Sequence, residues 1–101
     1  MDEQRLLSLL GLCRKANLAS FGHDAAKGAL RRKEAKLCLL CADASPRLKD
    51  EFRFLAQDSG AKLEELALTS LDIKAATQYK AAVITINNNG FADKLTSILT
   101  A

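Results

Sequence analysis

Apolar residues along this chain fall into two rhythms that alternate from one end to the other. From Asp2 to Lys15, Leu6, Leu10 and Cys13 recur at i, i+4 and i+7 with Leu7 and Leu9 widening the stripe, which predicts a helix with Asp2 as its N-cap. Leu18 to Phe21 has the length of an edge strand, and Gly22 breaks it. Asp24 to Arg32 carries Ala25, Ala26, Ala29 and Leu30, a slim second helix whose small residues allow close approach to its support. Lys36 to Ala42 carries the continuous apolar run Leu37 to Ala42, whose lack of alternation predicts a central strand covered on both faces. Ser45-Pro46 is an N-cap and first-turn pair, after which Leu48, Phe52 and Leu55 recur at helical spacing up to a stop at Gly60. Lys62 to Leu66 predicts a strand, Ser70 a cap for a short helix from Leu71 to about Ala76, and Ala81 to Ile86 a β-branched strand. Asn87-Asn88-Asn89-Gly90 predicts a turn, and Phe91, Leu95, Ile98 and Leu99 a last amphipathic helix.

Helices alternating with short strands imply helical crossovers, hence an α/β fold with a sheet between two helical layers. The 101 residues fit one domain with a single core, without internal repeat or linker. The longest apolar run, Leu37 to Ala42, is far too short to span a bilayer, and Met1-Asp2-Glu3 is not the basic opening of a secretory signal. A cytoplasmic protein with no membrane association is therefore expected, and Cys13, Cys38 and Cys41 are expected to be reduced packing residues. Cys38-Leu39-Leu40-Cys41 has metal-pair spacing, but residues three apart in a strand point to opposite faces and cannot jointly hold zinc.

Charge changes the picture through its distribution. The chain as a whole carries only +3, whereas residues 1 to 36 hold eight Lys/Arg against Asp2, Glu3, Asp24 and Glu34, a balance of +4, and the remainder stands at −1. Chemistry for catalysis is sparse. There is one histidine, no nucleophile elbow and no paired metal-ligand spacing, and Gly22 to Gly28 lacks the Gly-Lys-Ser/Thr end of a nucleotide loop. A protein that is not an enzyme, with no cofactor and no metal, is expected.

Gly11-Leu12-Cys13-Arg14-Lys15-Ala16, Ala35-Lys36-Leu37-Cys38-Leu39-Leu40, Ala42-Asp43-Ala44-Ser45-Pro46, and Ile84-Thr85 with Gly90-Phe91-Ala92-Asp93-Lys94-Leu95 follow one another across nearly the whole chain. In this order and spacing they resemble the kink-turn-binding ribosomal-protein family, in particular its bacterial YlxQ-type branch. The resemblance implies a three-layer α/β/α sandwich with a four-stranded mixed sheet. It also implies that the N-terminus of the second helix enters RNA. The family motif there is an Asn-Glu pair followed three residues later by Lys, and the matching positions are His23, Asp24 and Lys27. A monomer that binds structured RNA, such as ribosomal or kink-turn-containing RNA, and that associates with the ribosome follows as the expectation.

The residues support that chemistry directly. A helix N-terminus offers unpaired N–H groups and partial positive charge to phosphate, and Gly22 removes bulk from its approach. Asp24 can accept from guanine N–H donors, Lys27 can reach guanine O6 or a phosphate oxygen, and His23 can donate to a base or stack on it. The same positions also fit an N-terminal capping acid and a solvated turn residue. Thr77-Gln78-Tyr79-Lys80 occupies the loop with which the family covers an extruded nucleotide. Tyr79 either stacks on a base, worth about 1–3 kcal/mol, or closes the core as a partly buried ring. Arg14, Lys15, Arg31, Arg32 and Lys33 are candidates for backbone attraction. The substitutions at His23 and Asp24 motivate a rival reading, a translation-linked protein-interaction module on the same scaffold.

Overall fold

The computed structural model describes residues 2–101. Its elements run α1 (Glu3–Lys15), β1 (Ala19–Phe21), α2 (His23–Arg31), β2 (Leu37–Leu40), α3 (Pro46–Ser59), β3 (Lys62–Glu65), α4 (Ser70–Thr77), β4 (Val83–Ile86) and α5 (Asn89–Thr100). The strands form one mixed sheet in the order β1-β4-β2-β3, with β4 antiparallel to β1 and β2, and β3 parallel to β2. β1 thus lies at an edge and β2 inside, as their apolar patterns require. β3, the other edge, carries Lys62, Glu64 and Glu65, charges that discourage pairing with another chain.

Both interior strands are buried along their whole length, and alternate residues serve opposite layers. Leu37 and Leu39 of β2 and Ile84 and Ile86 of β4 pack with Leu6, Leu10, Ile73, Leu95 and Ile98 of α1, α4 and α5. Cys38, Leu40 and Val83 pack instead with Ala26, Ala29, Leu30, Phe52 and Ala56 of α2 and α3. The result is a three-layer α/β/α sandwich. Cys38 and Cys41 fall in different layers, and burial pushes both thiols up to about 12, leaving them protonated and unreactive at neutral pH. Among the described residues, no helix is long and apolar enough to cross a membrane.

Cap chemistry corrects two boundaries. The N-cap of α4 is Thr69, not Ser70: Thr69 accepts from the Asp72 N–H, and the Asp72 carboxylate accepts from the Thr69 N–H at 2.9 Å. Ser70 is free for another task, donating its N–H and hydroxyl to the Asp43 carboxylate at 2.9 and 2.6 Å. These bonds hold Asp43 below the usual carboxylate range and tie the turn after β2 to the start of α4. Asn87 to Gly90 is likewise only half a turn. Asn88 accepts from the Phe91 N–H at 3.0 Å as the N-cap of α5, and Asn89 and Gly90 are already helical. Asn suits turns and N-caps for the same reason, a short side chain that captures a nearby backbone N–H.

Thr85 is fully buried in β4 and its hydroxyl has no hydrogen-bond partner among the described residues. Thr85→Val removes that stranded group at nearly constant shape and is expected to stabilise the fold by up to about 1 kcal/mol, a rise of roughly 4–8 °C in Tm. Thermal denaturation checks this; a lower Tm would show that the hydroxyl has a partner.

Candidate nucleic-acid interface

The chain leaves β1 through Gly22, whose φ of 95° is a conformation that L side chains rarely adopt. Its N–H donates to the Val83 carbonyl at 2.9 Å, anchoring the turn to β4. A Cβ at Gly22 would meet nothing within 4 Å, so backbone geometry, not crowding inside the protein, calls for glycine, and the space beside it is open. α2 begins at once with His23, a residue earlier than its apolar pattern indicates. Asp2, Ser45, Thr69 and Asn88 cap the other four helices, but no side chain caps α2. Its first-turn N–H groups and the positive end of its dipole therefore lie uncovered among the exposed residues His23, Asp24 and Ala25.

The side chains of this tip form a cluster. His23 Nδ1 lies 3.0 Å from Asp24 Oδ1, and His23 Nε2 lies 2.9 Å from Glu51 Oε1 on α3. Glu51 Oε2 in turn lies 3.4 Å from Lys27 Nζ. The imidazole meets Phe52 edge-to-face, with ring centroids 5.5 Å apart at 85°. His23 is thus not simply a solvated turn residue: both ring nitrogens are engaged within the tip, while 44% of the side chain stays exposed. Hydrogen bonds to Asp24 and then Glu51 raise its pKa above the ordinary 6.5, and the bond from His23 lowers that of Glu51. Asp24 makes no backbone cap and its carboxylate is fully exposed.

A groove of about 600 Å³ opens beside the tip, lined by Arg14, Lys15, Asn17, Phe21, Ala25 and Tyr79 among others. Thr77 ends α4 and is buried, its hydroxyl donating to the Ile73 carbonyl at 2.8 Å and accepting from the Tyr79 N–H at 3.2 Å. Gln78, left-handed at φ 69°, then turns the chain so that Tyr79 stacks on Phe21 with centroids 5.8 Å apart. The Arg14 guanidinium covers the ring at 4.8 Å. Even so, Tyr79 stays 51% exposed, so it is a half-covered ring beside a groove and not a core residue.

The sequence-predicted residues divide accordingly. Gly22, His23, Asp24 and Lys27 share the tip; Arg14, Lys15 and Tyr79 share the groove with Ala25; Gln78 and Lys80 flank Tyr79 on exposed backbone. Gln78 also lines a second groove, of about 550 Å³ between α1 and α4, that shares Arg14 and Lys15. Arg31 is not part of the group, since it sits in the last turn of α2, roughly 12 Å along the axis from His23. Arg32 pairs with Glu34 at 2.9 Å, and Lys33 is exposed in the left-handed turn that follows α2. Glu51 and Phe21 were not singled out as site residues by the sequence; no local signal marks a glutamate whose partners, His23 and Lys27, lie on another helix.

No family model matches the sequence, and no curated protein sequence matches it. Solved structures do share the fold. A Bacillus halodurans protein of unknown function superposes with a TM-score of 0.88 at 21% identity, covering 96% of this chain and 98% of its own. A 15.5 kD RNA-binding protein of Giardia lamblia superposes with a TM-score of 0.78 at 18% identity, covering 97% of this chain and 84% of its own. At these identities the likeness is one of fold, and it matches the sandwich with its four-stranded mixed sheet.

The tip has a definite pH signature. Protonated His23 contributes stability that is full below 6.5 and is lost as pH rises through its raised folded value. Glu51 contributes stability that is present above 4.5 and is lost as pH falls through its lowered one. An NMR titration of the imidazole is expected to give a midpoint above 6.5, with Asp24→Asn bringing it down; a wild-type midpoint at or below 6.5 would contradict the cluster.

Proposed function

We propose that this protein binds RNA without catalysing a reaction, and that it recognises a kinked or internally looped helix through the α2 tip and the groove leading to Tyr79. One observation carries the reading: the uncapped start of α2, flanked by an exposed acid and an amine, adjoins a groove with a half-exposed aromatic ring and two cationic side chains. Backbone N–H groups beside Gly22 receive a phosphate, which positions the RNA without reading it. The Asp24 carboxylate accepts from guanine N–H donors, which discriminates between bases, and Lys27 reaches O6 or a phosphate by leaving Glu51. Tyr79, 51% exposed, offers its uncovered surface to an unpaired base, and Gln78 its amide. Arg14, Lys15 and Lys80 attract the backbone.

The fold shared with an RNA-binding protein supports this assignment, as does the resemblance to kink-turn binders in the ordered motifs from Gly11 to Leu95. We further propose that the chain acts as a single-domain monomer in the cytoplasm, on ribosomal or other kink-turn-containing RNA. The rival protein-interaction reading predicts partners that survive complete nuclease treatment.

Affinity for a kink-turn RNA should exceed that for a plain duplex of equal length. Tyr79→Ala should cost about 1–3 kcal/mol on the kinked target, and Asp24→Ala should weaken the kinked target more than the duplex. Equal affinities, or an affinity independent of salt, would overturn the proposal.

A further inference from the structure

Glu51 joins the tip from another helix, and one carboxylate engages both cationic side chains there: Oε1 lies 2.9 Å from His23 Nε2 and Oε2 lies 3.4 Å from Lys27 Nζ. Asp24 takes the remaining ring nitrogen of His23. Two carboxylates therefore face two cationic groups, and the tip carries no net positive charge even with the imidazole protonated. The pair is partly shielded from water, with Lys27 29% and Glu51 34% exposed, so salt screens it less than a fully exposed one. Its geometry is held in place because the adjacent Phe52 is fully buried and meets the His23 ring edge-to-face. Of the cations on α3, Arg53 is engaged by Asp50 and Glu65 and Lys49 by Glu65, while Arg47, one turn before Glu51, makes no ion pair among the described residues.

We infer that Glu51 is a specificity-determining residue which, without contacting RNA itself, withholds Lys27 and His23 from plain phosphate backbone. The inference rests on the RNA-binding reading above. A phosphate approaching the tip must displace a carboxylate from the same two partners, one oxyanion exchanged for another, and the gain is small. A kinked RNA brings more: N–H donors for the fully exposed Asp24 and an unstacked base for Tyr79, contacts that a continuous duplex does not offer. Glu51 thus lowers the background common to all RNA while leaving the Asp24 and Tyr79 contacts intact.

Glu51→Gln keeps the shape and removes the charge. It should tighten binding to the plain duplex by on the order of threefold for each released cation and steepen the salt slope by nearly one for each added phosphate contact. The ratio of kink-turn to duplex affinity should fall, while Glu51→Asp, which keeps the charge, should hold it near the wild-type value. Independently of RNA, Glu51→Gln should lower the NMR titration midpoint of His23. If wild type discriminates and Glu51→Gln keeps the same ratio, or if the His23 midpoint does not move, the role assigned to Glu51 is wrong and the RNA-binding reading stands. If wild type does not distinguish the two RNAs, both fall together.

Discussion

The structure depends on two strands that have no solvent-facing side. Every side chain of Leu37 to Leu40 and of Val83 to Ile86 is buried, so helices must cover the sheet on both faces. The five helices divide into three on one face and two on the other. In the two-helix layer α2 and α3 share a core, which brings Glu51 within reach of His23 and Lys27. The three-helix layer ends α4 close to the sheet edge. There β1 bridges the layers, since Phe21 supports Tyr79 and the next residue, Gly22, begins the turn into α2.

Much of this was legible because burial writes itself into periodicity. Unbroken apolar runs marked the interior strands, three-and-four spacing marked the helices, and the opposed faces of Cys38 and Cys41 followed from the strand period alone. Ends were harder to place where one residue type serves two local conformations, as at Thr69-Ser70 and Asn87 to Gly90. In the candidate site, Gly22, Asp24 and Tyr79 stood out by residue type and position. Glu51 did not, because its role comes from the rotation of α3 about its own axis, set by Phe52 and not by any motif. Arg31, a candidate for backbone attraction by its charge, lies at the other end of α2 from the tip, a separation that only the length of the helix fixes.

Segmental charge also overstated the local potential. The first third of the chain carries +4 with His23 taken as neutral, but the fold brings Glu51 from α3 against it, engaging Lys27 and the imidazole of His23. Arg32 is paired with Glu34. What the surface presents near the groove is narrower: Lys15 at the exposed end of α1, and Arg14 placed over an aromatic ring. Attraction of an anionic polymer is set by that residual pattern and not by the sum along the chain.

The tie between Asp43 and Ser70 reaches well beyond the two residues it joins. It fixes the first residue of an eight-residue helix to the turn that follows β2, and Tyr79 lies beyond the other end, roughly 12 Å away. Ile73 and Thr77 are buried along the same helix, so α4 is held at its start and along its inner face. The wall of the groove is therefore aligned by packing that begins at the far end of the helix and finishes with Phe21 and Arg14 beside the ring.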